Sequence, residues 1–242
     1  MRHTRWAFRL RPLSSKWALT LRSSRRTPGC ALRARLTSNV SPQKKVRAGS
    51  LADLNAASGD WAFVDVGFAR EGKTGGLLVN AGSPQLLTFS ELRRELSTLA
   101  AIPGRQLNLV VEAPLSAGFT GAGNPAGRSM ERQGKEHRYW YAGLGCQVTL
   151  AAAYLLRPMH DNGSGREVCL YEAFVSFKRK GSKSSHSNDV LAMRSVAWGE
   201  PGHQGRIIAP EELAGPHVHI VQSAFKVFGF DCGVPPVIVA GG

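Results

Sequence analysis

Acidic residues are absent from the first 47 positions, although those positions hold 13 of the chain's 31 Lys and Arg. The formal net charge of +14 therefore sits in the leader, and the remaining 18 basic and 17 acidic residues nearly cancel. A basic chain suggests a nucleic-acid partner, but here that partner has to be sought in local patches. Cysteine is scarce. Cys30, Cys146, Cys169 and Cys232 are widely spaced, form no CxxC pair and follow no secretory signal. A disulfide framework is not expected, and the thiols read as reduced in a cytoplasmic compartment. Long apolar runs are lacking as well. The longest, residues 148–156, falls far short of the roughly 20 residues that cross a bilayer, so no membrane contact is expected. No internal repeat is present.

Residues 1–58 are rich in Arg and Ser and are broken by Pro12, Pro28 and Pro42. Their apolar stretch, residues 17–21, is too short for a signal peptide. Three readings stand side by side: a disordered basic tail that touches phosphates, an organelle transit peptide, or translation from a start codon placed too far upstream. Disorder is the structural expectation. The folded domain is expected over residues 59–242, long enough for one domain with a good core.

Within that domain, residues 61–68 (WAFVDVGF) read as a buried strand. Residues 77–79 and 85–88 read as two further strands, separated by the turn at Gly82, Ser83 and Pro84. Thr88 and Glu91 match a capping box, and Phe89, Leu92, Leu96 and Leu99 follow at helical spacing, so a helix is expected to about residue 101, stopped by Pro103-Gly104. Residues 107–112 (LNLVVE) read as a strand, 139–156 as an apolar helix, 168–177 as a strand and 189–198 as a short helix capped by Ser187 or Asn188. Residues 114–138 form a long Gly-, Asn- and Pro-rich loop, of the kind that is usually functional or mobile. Strand-like pieces follow at 207–208, 218–221, 225–230 and 237–239. The order β-β-β-α-β-α-β-α predicts an α/β fold with a mixed sheet, antiparallel at first and parallel later, and helices on both faces.

Asp65 is the anomaly in this pattern, one acid among Phe63, Val64 and Val66. A carboxylate in an apolar strand is costly unless it is paired or bound. A divalent cation would account for it, and so would backbone or Arg hydrogen bonds.

Residues 67–74 (GFAREGKT) match the phosphate-loop pattern GxxxxGK[ST] and follow a strand. Under that alternative the Gly67–Gly72 turn supplies backbone N–H groups, Lys73 reaches phosphates and Thr74 binds a metal, in a nucleotide-binding or nucleotide-hydrolysing protein. Such a loop has to open a helix, and Gly75-Gly76 followed by apolar residues 77–79 is poor helix sequence.

The element order looks like the RNase H-like fold, a mixed five-stranded sheet with helices on both faces, here with extra C-terminal strands. The segments VDVGFA, VVEAPLS, YEAFVSFK and HSNDVLAM also resemble a family of uncharacterised proteins predicted to be RNase H-like nucleases, akin to the Holliday-junction resolvases of the RuvC type. The resemblance covers residues 61–198. It implies acids in the first strand, at the end of the fourth and on the last helix, where this chain has Asp65, Glu112 and Asp189. It further implies Mg²⁺ or Mn²⁺ held by those carboxylates and phosphodiester hydrolysis of DNA or RNA. His186, three residues before Asp189 where an acid is commoner, is a candidate ligand or general acid/base. Glu172, inside the fifth strand, is a candidate additional ligand.

Each residue also has a plain structural role. Glu112 can polarise the turn before Pro114, Asp189 suits a helix's first turn, and Glu172 and His186 suit structural or surface roles. Their joint fit to one site is what favours the enzyme. Arg128, Arg132, Lys135 and Arg138 form one basic cluster, and Lys178, Arg179, Lys180 and Lys183 another. Both follow strands whose ends would flank the acids, where phosphates would lie. The aromatics Tyr139, Trp140 and Tyr141 either stack bases or pack a helix start. A member of the fold with a degenerate site would be a non-catalytic interaction module. The oligomeric state is open, with a homodimer among the options.

Overall fold

Seven consecutive buried or half-buried residues, Asp60–Val66, form a strand with neighbours on both sides in the sheet. The structure, a computed structural model, describes residues 46–68, 71–161, 165–175, 177 and 185–240. The described residues belong to one compact unit, Pro42–Gly242.

Eight strands make the main sheet. In chain order they start with β1 (Val46–Ala48), β2 (Asp60–Val66), β3 (Gly75–Val79), β4 (Gln85–Leu87) and β5 (Leu107–Glu112). Between β5 and the next main-sheet strand come β6 (Ser116–Phe119), β7 (Pro125–Ala126), β8 (Arg132–Gln133) and β9 (Glu136–His137), which lie outside it. The sheet is completed by β10 (Val168–Phe174), β11 (Gly205–Ile208) and, after β12 (Ile220–Ser223), β13 (Val237–Ala240). Its spatial order is β11-β13-β10-β5-β2-β3-β4. The pairs β2–β5, β5–β10 and β10–β13 are parallel, while β2–β3, β3–β4 and β11–β13 are antiparallel. β1 runs parallel to the first half of β10 and β13 to its second half, so the two lie end to end along one edge of it.

Helices cover both faces. α1 (Phe89–Ala101) and α2 (Leu144–Asp161) bury Leu92, Leu96, Ala152, Leu155 and Leu156 against Ala62, Val64, Leu109 and Val111. α3 (His186–Ala197) buries Val190, Met193 and Val196 on the opposite face, against Trp61, Phe63, Val110 and Tyr171. Each buried Leu, Val, Met or Phe among them contributes about 1.5–3 kcal/mol relative to exposure. Trp61 anchors that layer, stacked on Phe63 at 5.5 Å and on Tyr171 at 5.4 Å between ring centres. The central strands β2, β5 and β10 are covered on both faces, which is why they read as continuous apolar runs. Among the described residues, no helix is long and apolar enough to cross a membrane.

α1 carries the expected capping box: Glu91 N–H donates to Thr88 Oγ1 at 3.3 Å, and Thr88 N–H donates to Glu91 Oε2 at 2.9 Å. Several expectations are corrected. The fold begins before residue 59, since Val46 is fully buried and Val46–Ala48 is a sheet strand. The sheet has eight strands rather than five plus separate extras, because β1, β11 and β13 extend it beyond β10. α2 starts at Leu144 rather than 139 and runs on through Pro158. α3 is capped by Ser185, whose Oγ accepts from Asn188 N–H at 3.2 Å. The strand expected at 225–230 is a 3-10 helix, Ala224–Phe228, closed by Gly229 at φ +81°, a left-handed turn that suits glycine. The long loop after β5 holds β6 and β7, which β12 joins from near the chain's C-terminal end to make a small sheet, and the β8–β9 hairpin.

Candidate metal centre

Asp65 and Glu112 are register partners on the parallel strands β2 and β5, near the carboxyl ends of both. Paired positions of adjacent strands point to the same face, and this face is the one that α3 covers. Asp189 lies in the first turn of α3 and is 7 % exposed, against 5 % for Asp65. One carboxylate oxygen from each of Asp65, Glu112 and Asp189 falls within 4.8 Å of the others. No other group of three potential ligands of this kind is found among the described residues.

Glycine at position 76 allows α3 to come this close. A Cβ on Gly76, the β3 partner of Asp65, would lie 2.9 Å from the His186 carbonyl oxygen and press on the start of the helix. A Cβ on Gly67 would meet the Thr74 carbonyl oxygen first and the tip of the His186 ring next, at 2.5 Å.

His186 Nδ1 sits 2.5 Å from Asp65 Oδ2. The imidazole is one turn before Asp189, so both side chains leave the helix on one side. Burial pushes the Asp65 carboxyl above its ordinary range; hydrogen bonds to His186 and Glu112 oppose the rise, and the nearby Asp189 charge adds to it. This cluster is unfavourable by itself, because crowded carboxylates raise each other's pKa and favour a shared proton. A hard dication would offset the crowded charge; carboxylate oxygens within 4.8 Å of one another would have to draw in by several tenths of an ångström to span Mg²⁺, whose opposite ligands are about 4 Å apart.

Asp65 and Glu112 open into a cleft of about 630 Å³. Phe68, His137, Arg138 and Tyr139 contribute to its walls. Arg138 and Lys135 are exposed, as is Arg132. A cation beside an acidic pocket suits a phosphodiester, whose charge needs support away from the carboxylates.

Two candidates belong elsewhere. Glu172 pairs with Val111 in β5, one residue out of phase with Glu112, and so faces the α1/α2 side of the sheet. There its Oε2 accepts from Leu115 N–H at 2.9 Å and from Arg128 Nη1 at 2.7 Å. Arg128 was expected at a phosphate. It is 1 % exposed, and its other terminal nitrogen bonds Glu131 at 2.8 Å. This buried Glu131–Arg128–Glu172 chain ties the excursion after β5 to β10, and Glu131 Oε1 also accepts from Trp140 N–H at 2.9 Å. Lys178, Lys180 and Lys183, with Arg179, lie outside the described residues.

The phosphate-loop alternative is also corrected. Gly75–Val79 is a strand paired antiparallel with β2, so no helix N-terminus follows the motif. Thr74 Oγ1 donates to the Gly67 carbonyl at 3.1 Å, closing the turn, and Lys73 is exposed. Residues 69 and 70 of the motif lie outside the described residues.

Sequence reasoning missed His137, which stacks on Tyr139 with ring centres 4.8 Å apart. The spacing of the rings at 137, 139 and 141 was the available signal, hidden by the expectation of a helix from 139. No protein-family model, curated protein or solved structure matches this chain.

Proposed function

We propose that this chain is a divalent-metal-dependent nuclease of RNase H-like architecture, hydrolysing phosphodiester bonds in DNA or RNA. The observation that carries the proposal is the convergence of Asp65, Glu112 and Asp189, from two strands and a helix, to within 4.8 Å at the edge of a cleft. The strand order β4-β3-β2-β5-β10, with acids on the first and fourth of these strands in chain order and on the last helix, supports the fold-level reading.

Asp65, Glu112 and Asp189 hold the cation. Bound there, Mg²⁺ or Mn²⁺ supplies a lowered pKa for water and positive charge for phosphoryl oxygens. His186 fixes the Asp65 carboxylate through its 2.5 Å contact and is a positioning residue. Arg138, on the cleft wall, meets a backbone phosphate and sets the register of the strand in the cleft.

Mn²⁺ soaking followed by anomalous scattering tests the site, and oligonucleotide cleavage with and without Mn²⁺ tests the activity. The expected result is a peak among the three carboxylates and cleavage that Asp65→Asn abolishes while the protein stays folded. No peak there, or activity unchanged in the variant, rejects the proposal. A metal peak without cleavage of any oligonucleotide favours the non-catalytic module.

A further inference from the structure

The segment that links β9 to α2 arranges its aromatic side chains in two directions. Trp140 turns inward: its indole N–H donates to the Ala126 carbonyl at 3.1 Å, and its ring meets Phe119 edge-on at 5.5 Å. His137, Tyr139 and Tyr141 form a continuous stack instead. Ring centres are 4.8 Å apart at 22° for the first pair and 5.2 Å apart at 13° for the second. The backbone leaves β9 at His137 and turns between Tyr139 and Ala142, whose N–H donates to the Tyr139 carbonyl at 3.1 Å. A Cβ on Gly127 would lie 2.3 Å from the Tyr139 ring, so glycine at that position gives the middle ring its seat.

The stack bridges two concavities. His137 and Tyr139 line the cleft that holds Asp65 and Glu112, while Tyr139 and Tyr141 line a second hollow of about 520 Å³. His137 is exposed, and the same short hairpin presents Arg132, Lys135 and Arg138 to solvent. Stacked rings flanked by cations suit unpaired bases on a phosphate backbone. Every base has a π-face, so stacking is tolerant of sequence, while the cations follow the phosphates. In an intact duplex the base faces are already covered.

We propose that His137, Tyr139 and Tyr141 form a base-stacking platform that takes single-stranded nucleic acid, or the unpaired stretch of a structured one, and leads it to the acidic site. The middle ring has both faces covered by its neighbours, so a base lands on His137 from the cleft side or on Tyr141 from the second hollow. The proposal deepens the nuclease reading and rests on it for the direction of travel, but base stacking can be measured without catalysis.

The test uses the full chain in EDTA, so that no cleavage occurs, and compares two probes of one length: oligo-dT and an abasic strand with the same phosphates. Oligo-U is run beside oligo-dT to separate DNA from RNA. The basic leader binds both phosphate backbones alike, so the ratio of the two affinities isolates stacking. Wild type is expected to favour oligo-dT or oligo-U over the abasic strand by about tenfold or more. His137→Ala and Tyr141→Ala should bring the ratio near one without changing the melting temperature, and Tyr141→Phe should keep it. Equal affinity of wild type for base-bearing and abasic strands overturns the proposal, as does a ratio unchanged in both alanine variants. Failure of the nuclease reading shows up separately, as absent cleavage in Mn²⁺ with the ratio intact.

Discussion

Asp65 and Glu112 face each other across a parallel strand pair, and one carboxylate oxygen of each lies within 4.8 Å of the other and of one from Asp189. Crowded carboxylates raise one another's pKa, so this arrangement costs stability while no counter-charge is bound. Removing the Asp65 charge relieves the crowding and keeps an acceptor for His186. Metal-free Asp65→Asn is therefore expected to melt higher than wild type, by about 2–4 °C for each kcal/mol relieved. In saturating Mn²⁺ the order should reverse, because only wild type gains binding energy. Paired thermal melts in EDTA and Mn²⁺ check both halves. A variant that melts lower in EDTA would mean that the Asp65 charge stabilises the fold.

The pH dependence of the same carboxyl has a definite sign. Its folded pKa is raised above the ordinary 3.8, chiefly by burial. The folded state then binds the proton more tightly than the unfolded chain. This contribution is fully present below the ordinary value and is lost as pH rises through the raised one. In EDTA, the stability of wild type relative to Asp65→Asn should thus fall from about pH 4 upward and level off once the group has ionised. Glu131 is raised by burial as well, but it is common to both proteins and cancels in the difference. With Mn²⁺ bound the trend should reverse, since the cation and the proton compete for one oxygen. Melting curves at several pH values in the two conditions measure it.

How much of this was legible in the sequence depended on whether the signal was local. The capping box at Thr88 and Glu91, the strand from Leu107 and the acid inside Asp60–Val66 are all readable within a few residues. Glu172 was not. All seven residues of β10 are buried, so the strand has no apolar–polar alternation to show which way each side chain points. Only its register with β5 does that, and the register is a long-range fact. Arg128 was hidden for a similar reason. Its near partner Glu131 is three residues away, but Glu172, which draws it inward, is 44 residues distant. A cluster of Arg and Lys looks like solvated loop until the buried acid is found.

The Arg128 network makes its own prediction. Arg128→Met strands two buried carboxylates, and breaking a buried pair of this kind costs about 3–5 kcal/mol. Urea unfolding should show that loss. Glu172→Gln is milder, since an amide oxygen still accepts from Leu115 N–H. Because Glu172 faces away from the three acids, Mn²⁺ affinity of the folded variant should match wild type. A large loss of affinity in Glu172→Gln would bring that residue back as a ligand.

The approach of α3 to the strands gives the most direct check on how the site is built. A Cβ on Gly76 would meet the His186 carbonyl at 2.9 Å and His186 Cβ at 3.1 Å. β3 cannot yield, because it is paired with β2 on one side and β4 on the other. The helix start has to move instead, taking His186 and Asp189 with it. Gly76→Ala should cost about 1–3 kcal/mol from overpacking and weaken Mn²⁺ binding by roughly tenfold or more, as loss of supporting contacts around a metal does. Gly72→Ala is the control. Gly72 sits at φ +97° with open space around its missing Cβ, so alanine there strains the backbone by about 1 kcal/mol and leaves α3 in place. Isothermal titration with Mn²⁺, alongside thermal melts, separates the two: both variants lose stability, and only Gly76→Ala loses the metal. Equal affinities would mean that the helix start tolerates displacement and that Asp189 is not held by this contact.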